Sequence, residues 1–171
     1  MNSKMDAFDK AASYLALKPR TEAEIRNYLK NKEYSPSEID DGIEKLREYG
    51  YLNDVEYSCS YIRQAVARGW GRLKMELALT EKGVSRSDVE AAWIQLEDEA
   101  EAGSPETGKL SLFDEKKRAL EIGVKMARQQ LSEGKELDEK FLNRVGRRLA
   151  GKGFTADSAY FAVNKLRGIK R

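Results

Sequence analysis

The sequence predicts an all-α protein: three tandem three-helix repeats stacked into an elongated, curved molecule. Three observations carry that prediction. First, one segment occurs three times, as Ile25–Leu46, Met75–Leu96 and Val145–Leu166, offset by 50 and then 120 residues from the first copy. Its apolar positions coincide: Ile25 with Met75 and Val145, Leu29 with Leu79 and Leu149, Ile39 with Val89 and Ala159, Ile43 with Trp93 and Val163, Leu46 with Leu96 and Leu166. A period of this size marks stacked units, which present extended binding surfaces more often than catalytic pockets. Second, these positions recur at helical spacing. Third, each copy has a matched junction: Lys32-Glu33-Tyr34-Ser35, Lys82-Gly83-Val84-Ser85 and Lys152-Gly153-Phe154-Thr155. In the second and third copies a glycine ends one helix, and in all three a hydroxyl caps the next.

The elements follow in order. Ala7–Leu17 is a helix with Phe8, Ala11, Ala12, Leu15 and Ala16 on one face. Thr21 and Glu24 form a capping box that opens a helix over Glu22–Lys32. Ser35-Pro36-Ser37-Glu38 is a second box with proline at the first helical position, and starts Pro36–Tyr49, which Gly50 ends. Asp54–Arg68 carries Val55, Cys59, Ile62 and Val66 at helical spacing. Leu73–Lys82 and Arg86–Glu97 form the second pair, capped by Ser85 with Asp88. Phe113–Ser132 carries Phe113, Leu120, Val124, Ala127 and Leu131. Asp138–Gly151 and Ala156–Arg167 form the third pair, in which Thr155 keeps the cap but Ser158 replaces the acid. The repeats therefore span 1–53, 54–98 and 113–171. Residues 99–112 form an acidic hinge with Gly103, Pro105 and Gly108 and few apolar side chains.

Charge is distributed unevenly. The net charge is +2 over 171 residues, but residues 97–115 carry −6 and residues 116–171 carry +9. A basic terminal unit after an acidic hinge points to a polyanionic or acidic partner for that unit. The sequence has no histidine and one cysteine, Cys59, placed on an apolar helix face. Neither the commonest general base nor a thiolate metal cluster can be built from that inventory. No phosphate-binding glycine loop occurs. A non-enzymatic protein with no cofactor is expected. The N-terminus lacks an apolar leader core and no stretch is apolar enough to span a membrane, so a cytoplasmic protein is the expectation, and a monomer, since each unit can bury its face against its neighbour.

Two basic clusters are candidate binding sites. Arg63, Arg68, Trp70, Arg72 and Lys74 surround the turn Arg68-Gly69-Trp70-Gly71-Arg72. This turn reads either as an interface hot spot, where Trp and Arg are enriched, or as a structural corner plugged by Trp70. Lys140, Arg144, Arg148 and Lys152 recur at i, i+4, i+8 and i+12 with Arg147 beside them, while Phe141, Val145 and Leu149 face the core. One packed and one cationic side suits a phosphate backbone or an acidic protein face; a solvated basic helix is the alternative.

Three segments carry a family resemblance: RTEAEIRNYL from Arg20, EYGYLNDVEYSCSYIR over Glu48–Arg63, and RGWGRLKMELALTEKGV over Arg68–Val84. They resemble the bacterial RecX regulators of the RecA recombinase. Gly50–Asp54 matches the stretch that joins the first two repeats in that family, and the R-G-aromatic-G turn opens the next helix. Glu33 stands where a glycine is usual. The resemblance implies a protein that lies along the groove of the RecA–DNA filament and restrains recombinase, ATPase and co-protease activity. It also implies that the two basic clusters contact the filament and its single- or double-stranded DNA backbone. A stand-alone DNA- or RNA-binding helical module and a scaffold for another protein are the competing expectations.

Overall fold

A computed structural model of the chain describes residues 5–102 and 114–169. The described residues form helices in the expected order: α1 Ala7–Leu15, α2 Glu22–Asn31, α3 Pro36–Glu48, α4 Asp54–Ala67, α5 Arg72–Glu81, α6 Arg86–Glu101, α7 Glu115–Ser132, α8 Glu139–Gly151 and α9 Ala156–Ile169. Among the described residues there is no strand, and no helix is long and apolar enough to cross a membrane. Contacts divide the chain into two compact units, Met1–Ser60 with Ala78–Trp93 and Tyr61–Leu77 with Ile94–Arg171. Residues of α4, α5 and α6 therefore contribute to both.

The caps form as the sequence anticipates. Thr21 accepts from the Glu24 N–H while Glu24 accepts from the Thr21 N–H, and Ser35 and Glu38 do the same, each satisfying two donors that a helix start leaves open. In the first unit Ile25, Leu29, Ile39, Ile43, Leu46 and Leu52 bury against Ala7 and Ala11 of α1. In the second, Phe141, Leu142, Val145 and Leu149 of α8 bury with Phe154, Ala162 and Leu166. Cys59 and Trp93 are buried, as their register requires.

Two expectations change. The buried side of α7 carries Ala119, Gly123 and Ala127, whereas Leu131 is 54% exposed and Leu120 and Val124 are half-buried. Small residues win because α9 packs close: a Cβ on Gly123 would lie 2.9 Å from Leu166 Cδ1. The second change is at the hinge. Residues 99–101 continue α6, where Glu99 bonds Gln95 and pairs with Arg63 and Ala100 is buried. Hinge residues 103–112 and Phe113 lie outside the described residues.

The junction turns have left-handed backbones at Glu33 (φ 60°), Gly83 (φ 80°) and Gly153 (φ 79°). Space separates them. A Cβ at Gly83 would stand 2.3 Å from Ala23 Cβ, and one at Gly153 would stand 2.3 Å from Lys74 Cβ and 2.6 Å from its nitrogen. Each glycine turn is pressed onto the second helix of the preceding triplet. Glu33 is exposed, and its left-handed backbone is one that glycine adopts without strain.

Candidate functional site

The Arg68–Arg72 turn is a joint. Gly71 N–H donates to the Lys152 carbonyl at 2.8 Å and Leu73 N–H to the Gly153 carbonyl at 3.0 Å. A Cβ at Gly71 would come within 2.2 Å of the Phe154 nitrogen, so only glycine permits this approach of two backbones. Arg118 of α7, 8% exposed, donates to the Trp70 carbonyl, and its guanidinium lies 5.4 Å from the centroid of the Phe154 ring. Burial holds its pKa below the usual arginine value, opposed by Glu115 and Glu121.

Glu115, the first residue of α7, completes the joint. Its Oε1 accepts the Arg72 N–H at 2.7 Å. Its Oε2 accepts the Thr155 N–H at 3.3 Å, the Thr155 hydroxyl at 2.6 Å and the Ser158 hydroxyl at 2.8 Å. The acid missing at Ser158 is thus supplied from another helix. Burial would raise the Glu115 pKa, but the hydrogen bonds from Thr155, Arg72 and Ser158 stabilise the carboxylate and leave it below the ordinary value.

The expected cations at this turn are largely engaged. Arg63 pairs with Glu99, Arg72 Nε with Glu76 at 2.7 Å, and Lys74 Nζ lies 4.3 Å from the Trp70 ring centroid. Arg68 is exposed. The backbone of the turn is therefore structural through Gly71, while Trp70 itself is half-buried. Glu115 and Arg118 were missed by sequence reasoning; the one signal for Glu115 was the cap without its acid.

The α8 cluster is open. Lys140, Arg144, Arg147 and Arg148 are exposed, and Lys140, Asn143 and Arg147 line one shallow hollow. Arg144 donates to Gln130 Oε1 at 2.6 Å, its guanidinium lies 5.3 Å from the Phe141 ring centroid, and its charge helps to hold the Glu133 pKa down without forming an ion pair. Among the described residues, no carboxylate lies within ion-pair distance of these four. Lys152 departs from the ridge. A step of four residues overshoots one helical turn by about 40°, so the i+12 position rotates toward the core and Lys152 becomes a half-buried C-cap. The helix also begins early. In the repeat register Phe141 stands where Thr21 and Gly71 stand, yet α8 is already helical from Glu139. Asn143, which matches Ala23, lies on the cationic face, whereas Ala23 of α2 meets a glycine turn.

Residues 7–46 match the family model for the first three-helix domain of RecX, and residues 53–92 match that for the second. A "Regulatory protein RecX" of Listeria monocytogenes serovar 1/2a is 30% identical over 158 residues, covering 92% of this chain. The chain belongs to the RecX family. A RecX of Clostridium beijerinckii is 28% identical over 88% of the chain. The chain spans 52% and 63% of the length of these two curated relatives. The crystal structure of RecX from Lactobacillus salivarius superposes with a TM-score of 0.75 at 22% identity, covering 94% of each chain, and a second RecX crystal structure superposes with 0.64 at 23% identity. These two show the fold.

Proposed function

We propose that this protein is a non-catalytic regulator that binds the RecA–DNA filament and mainly inhibits its recombinase, ATPase and co-protease activities. It would act as a cytoplasmic monomer, with the repeats 1–53, 54–98 and 113–171 and the hinge 99–112 as its working parts. The observation that carries the reading is the α8 face, with four exposed cations and no ion-pair partner among the described residues, in a chain of the RecX family. Fixed positive charge opposite a phosphate backbone or acidic protein surface gains counterion release and orientation. The joint cations Arg63 and Arg72, ion-paired to Glu99 and Glu76, are weaker contact candidates. Arg68, Trp70 and Lys74 remain secondary contact candidates.

The test is RecA ATPase on single-stranded DNA titrated with this protein and with the Arg144→Glu, Arg147→Glu, Arg148→Glu triple variant. Wild type should inhibit, and the folded variant should not. Unchanged inhibition by the variant removes α8 from the mechanism. Tight DNA binding with no effect on RecA would favour a stand-alone DNA-binding module.

A further inference from the structure

The joints and α8 leave Arg20 and Tyr28, both in the segment RTEAEIRNYL, without a role. In the first unit Tyr14 of α1 and Tyr28 of α2 stack with centroids 3.8 Å apart and planes 12° apart. The Arg20 guanidinium lies 4.2 Å from the Tyr14 centroid, and Lys32 Nζ lies 5.9 Å from the Tyr28 centroid. The order along this column is cation, ring, ring, cation.

Several acids of this unit are committed elsewhere. Glu22 holds Arg26 and Arg47, Glu24 reaches Lys82, Asp40 holds Arg26, and Asp6 meets Lys45. Among the described residues, no carboxylate lies within ion-pair distance of Lys18, Arg20 or Lys32. Arg20 Nε is buried without a hydrogen-bond partner, although the side chain as a whole is only half-buried. A buried orphan donor is costly, and a leucine would cover Tyr14 without it. The guanidinium lies over the Tyr14 ring, and the side chain as a whole keeps part of its surface in solvent. A stacked, pre-set guanidinium fork is the form of arginine best matched to a phosphate. One face of Tyr14 is taken by Arg20 and the other by Tyr28, which leaves that ring no room to stack a base.

We propose that Arg20 and Lys32, set by the Tyr14–Tyr28 stack, form a second, sequence-independent binding site for the phosphodiester backbone of a nucleic acid. The site lies in the first unit and requires no recombinase.

Fluorescence anisotropy with labelled single-stranded and duplex oligonucleotides, across a salt series and without RecA, tests it. The Arg20→Gln, Lys32→Gln variant should weaken binding about tenfold and reduce the logarithmic salt slope by about 1.4 on single strands, two phosphate contacts at about 0.7 each. The oligonucleotide that loses more is the form the site takes. Arg20→Lys should keep the slope but not the full affinity. No measurable binding by wild type overturns the proposal, as does an unchanged slope in the double variant, even with a lowered Tm. The α8 cations are intact in this variant and RecA is absent, so failure here leaves the α8 reading standing, and failure of α8 in the ATPase assay leaves this site standing.

Discussion

The two joints use one register with two chemistries. In the first unit the Lys82-Gly83 turn meets the start of α2. Thr21 donates its hydroxyl to the Lys82 carbonyl at 2.7 Å, and Asp54 accepts the Glu22 N–H at 2.9 Å. In the second unit the Lys152-Gly153 turn meets the start of α5 through the N–H groups of Gly71 and Leu73, and Glu115 accepts the Arg72 N–H. In both, the first residue of the next triplet's leading helix caps the first residue of the preceding triplet's second helix. Their carboxylates shift in opposite directions. Burial raises the Asp54 pKa, and Glu22 and Asp88 reinforce it against the opposing Glu22 N–H and Arg47. Glu115 is lowered because four donors converge on it. An acid in the same structural role is thus a cost when it accepts one bond among other acids and a gain when its acceptor capacity is used.

The largest effect should come from breaking the tighter joint. Gly71→Ala forces a Cβ into the Phe154 backbone and Gly153→Ala forces one into Lys74, each losing about 3 kcal/mol or more in urea unfolding, at the severe end for single substitutions. A loss below about 1 kcal/mol would mean the two turns can separate cheaply.

Next are the two acids. Glu115→Gln should cost about 1–3 kcal/mol at neutral pH, because an amide cannot accept all four bonds. Asp54→Asn keeps an oxygen for the Glu22 N–H and removes a disfavoured charge, so stability should hold or rise. The pH dependence separates them. Glu115 has a depressed folded pKa; its stabilisation is present above the ordinary carboxylate value and lost as pH falls through the lower folded value. Asp54 has a raised folded pKa; its contribution is present below the ordinary value and lost as pH rises through the folded value. Acid titrations of the two variants against wild type should therefore bend in opposite directions.

The smallest effect lies at the exposed Glu33 turn. Glu33→Gly removes the left-handed penalty of a side-chain-bearing residue and should stabilise by up to about 1 kcal/mol, read as a small rise in Tm.

Local rules made much of this legible. Thr21-x-x-Glu24, Ser35-Pro36-x-Glu38 and the apolar register were sufficient for the helix order and the cores, since caps and periodicity act within a few residues. What escaped acts over long separations or through small residues. Arg63 with Glu99 and Glu115 with Thr155 join positions 36 and 40 residues apart, and nothing in either segment alone marks the pairing. Ala119 and Gly123 bury because a neighbouring helix comes close, which a search for large apolar side chains passes over. At the candidate site the exposed α8 cations were readable from spacing, whereas the backbone approach of Gly71 to Phe154, which gives the Arg68–Arg72 turn its structural part, was not.

Glu33 also has a practical consequence. Positions 83 and 153 should accept glycine alone in a randomised library, while 33 should admit a broad alphabet, with asparagine and aspartate favoured among side chains. Because Cys59 is buried, a cysteine placed at 33 would offer a thiol for selective dye coupling, a handle for following the protein on its target one molecule at a time.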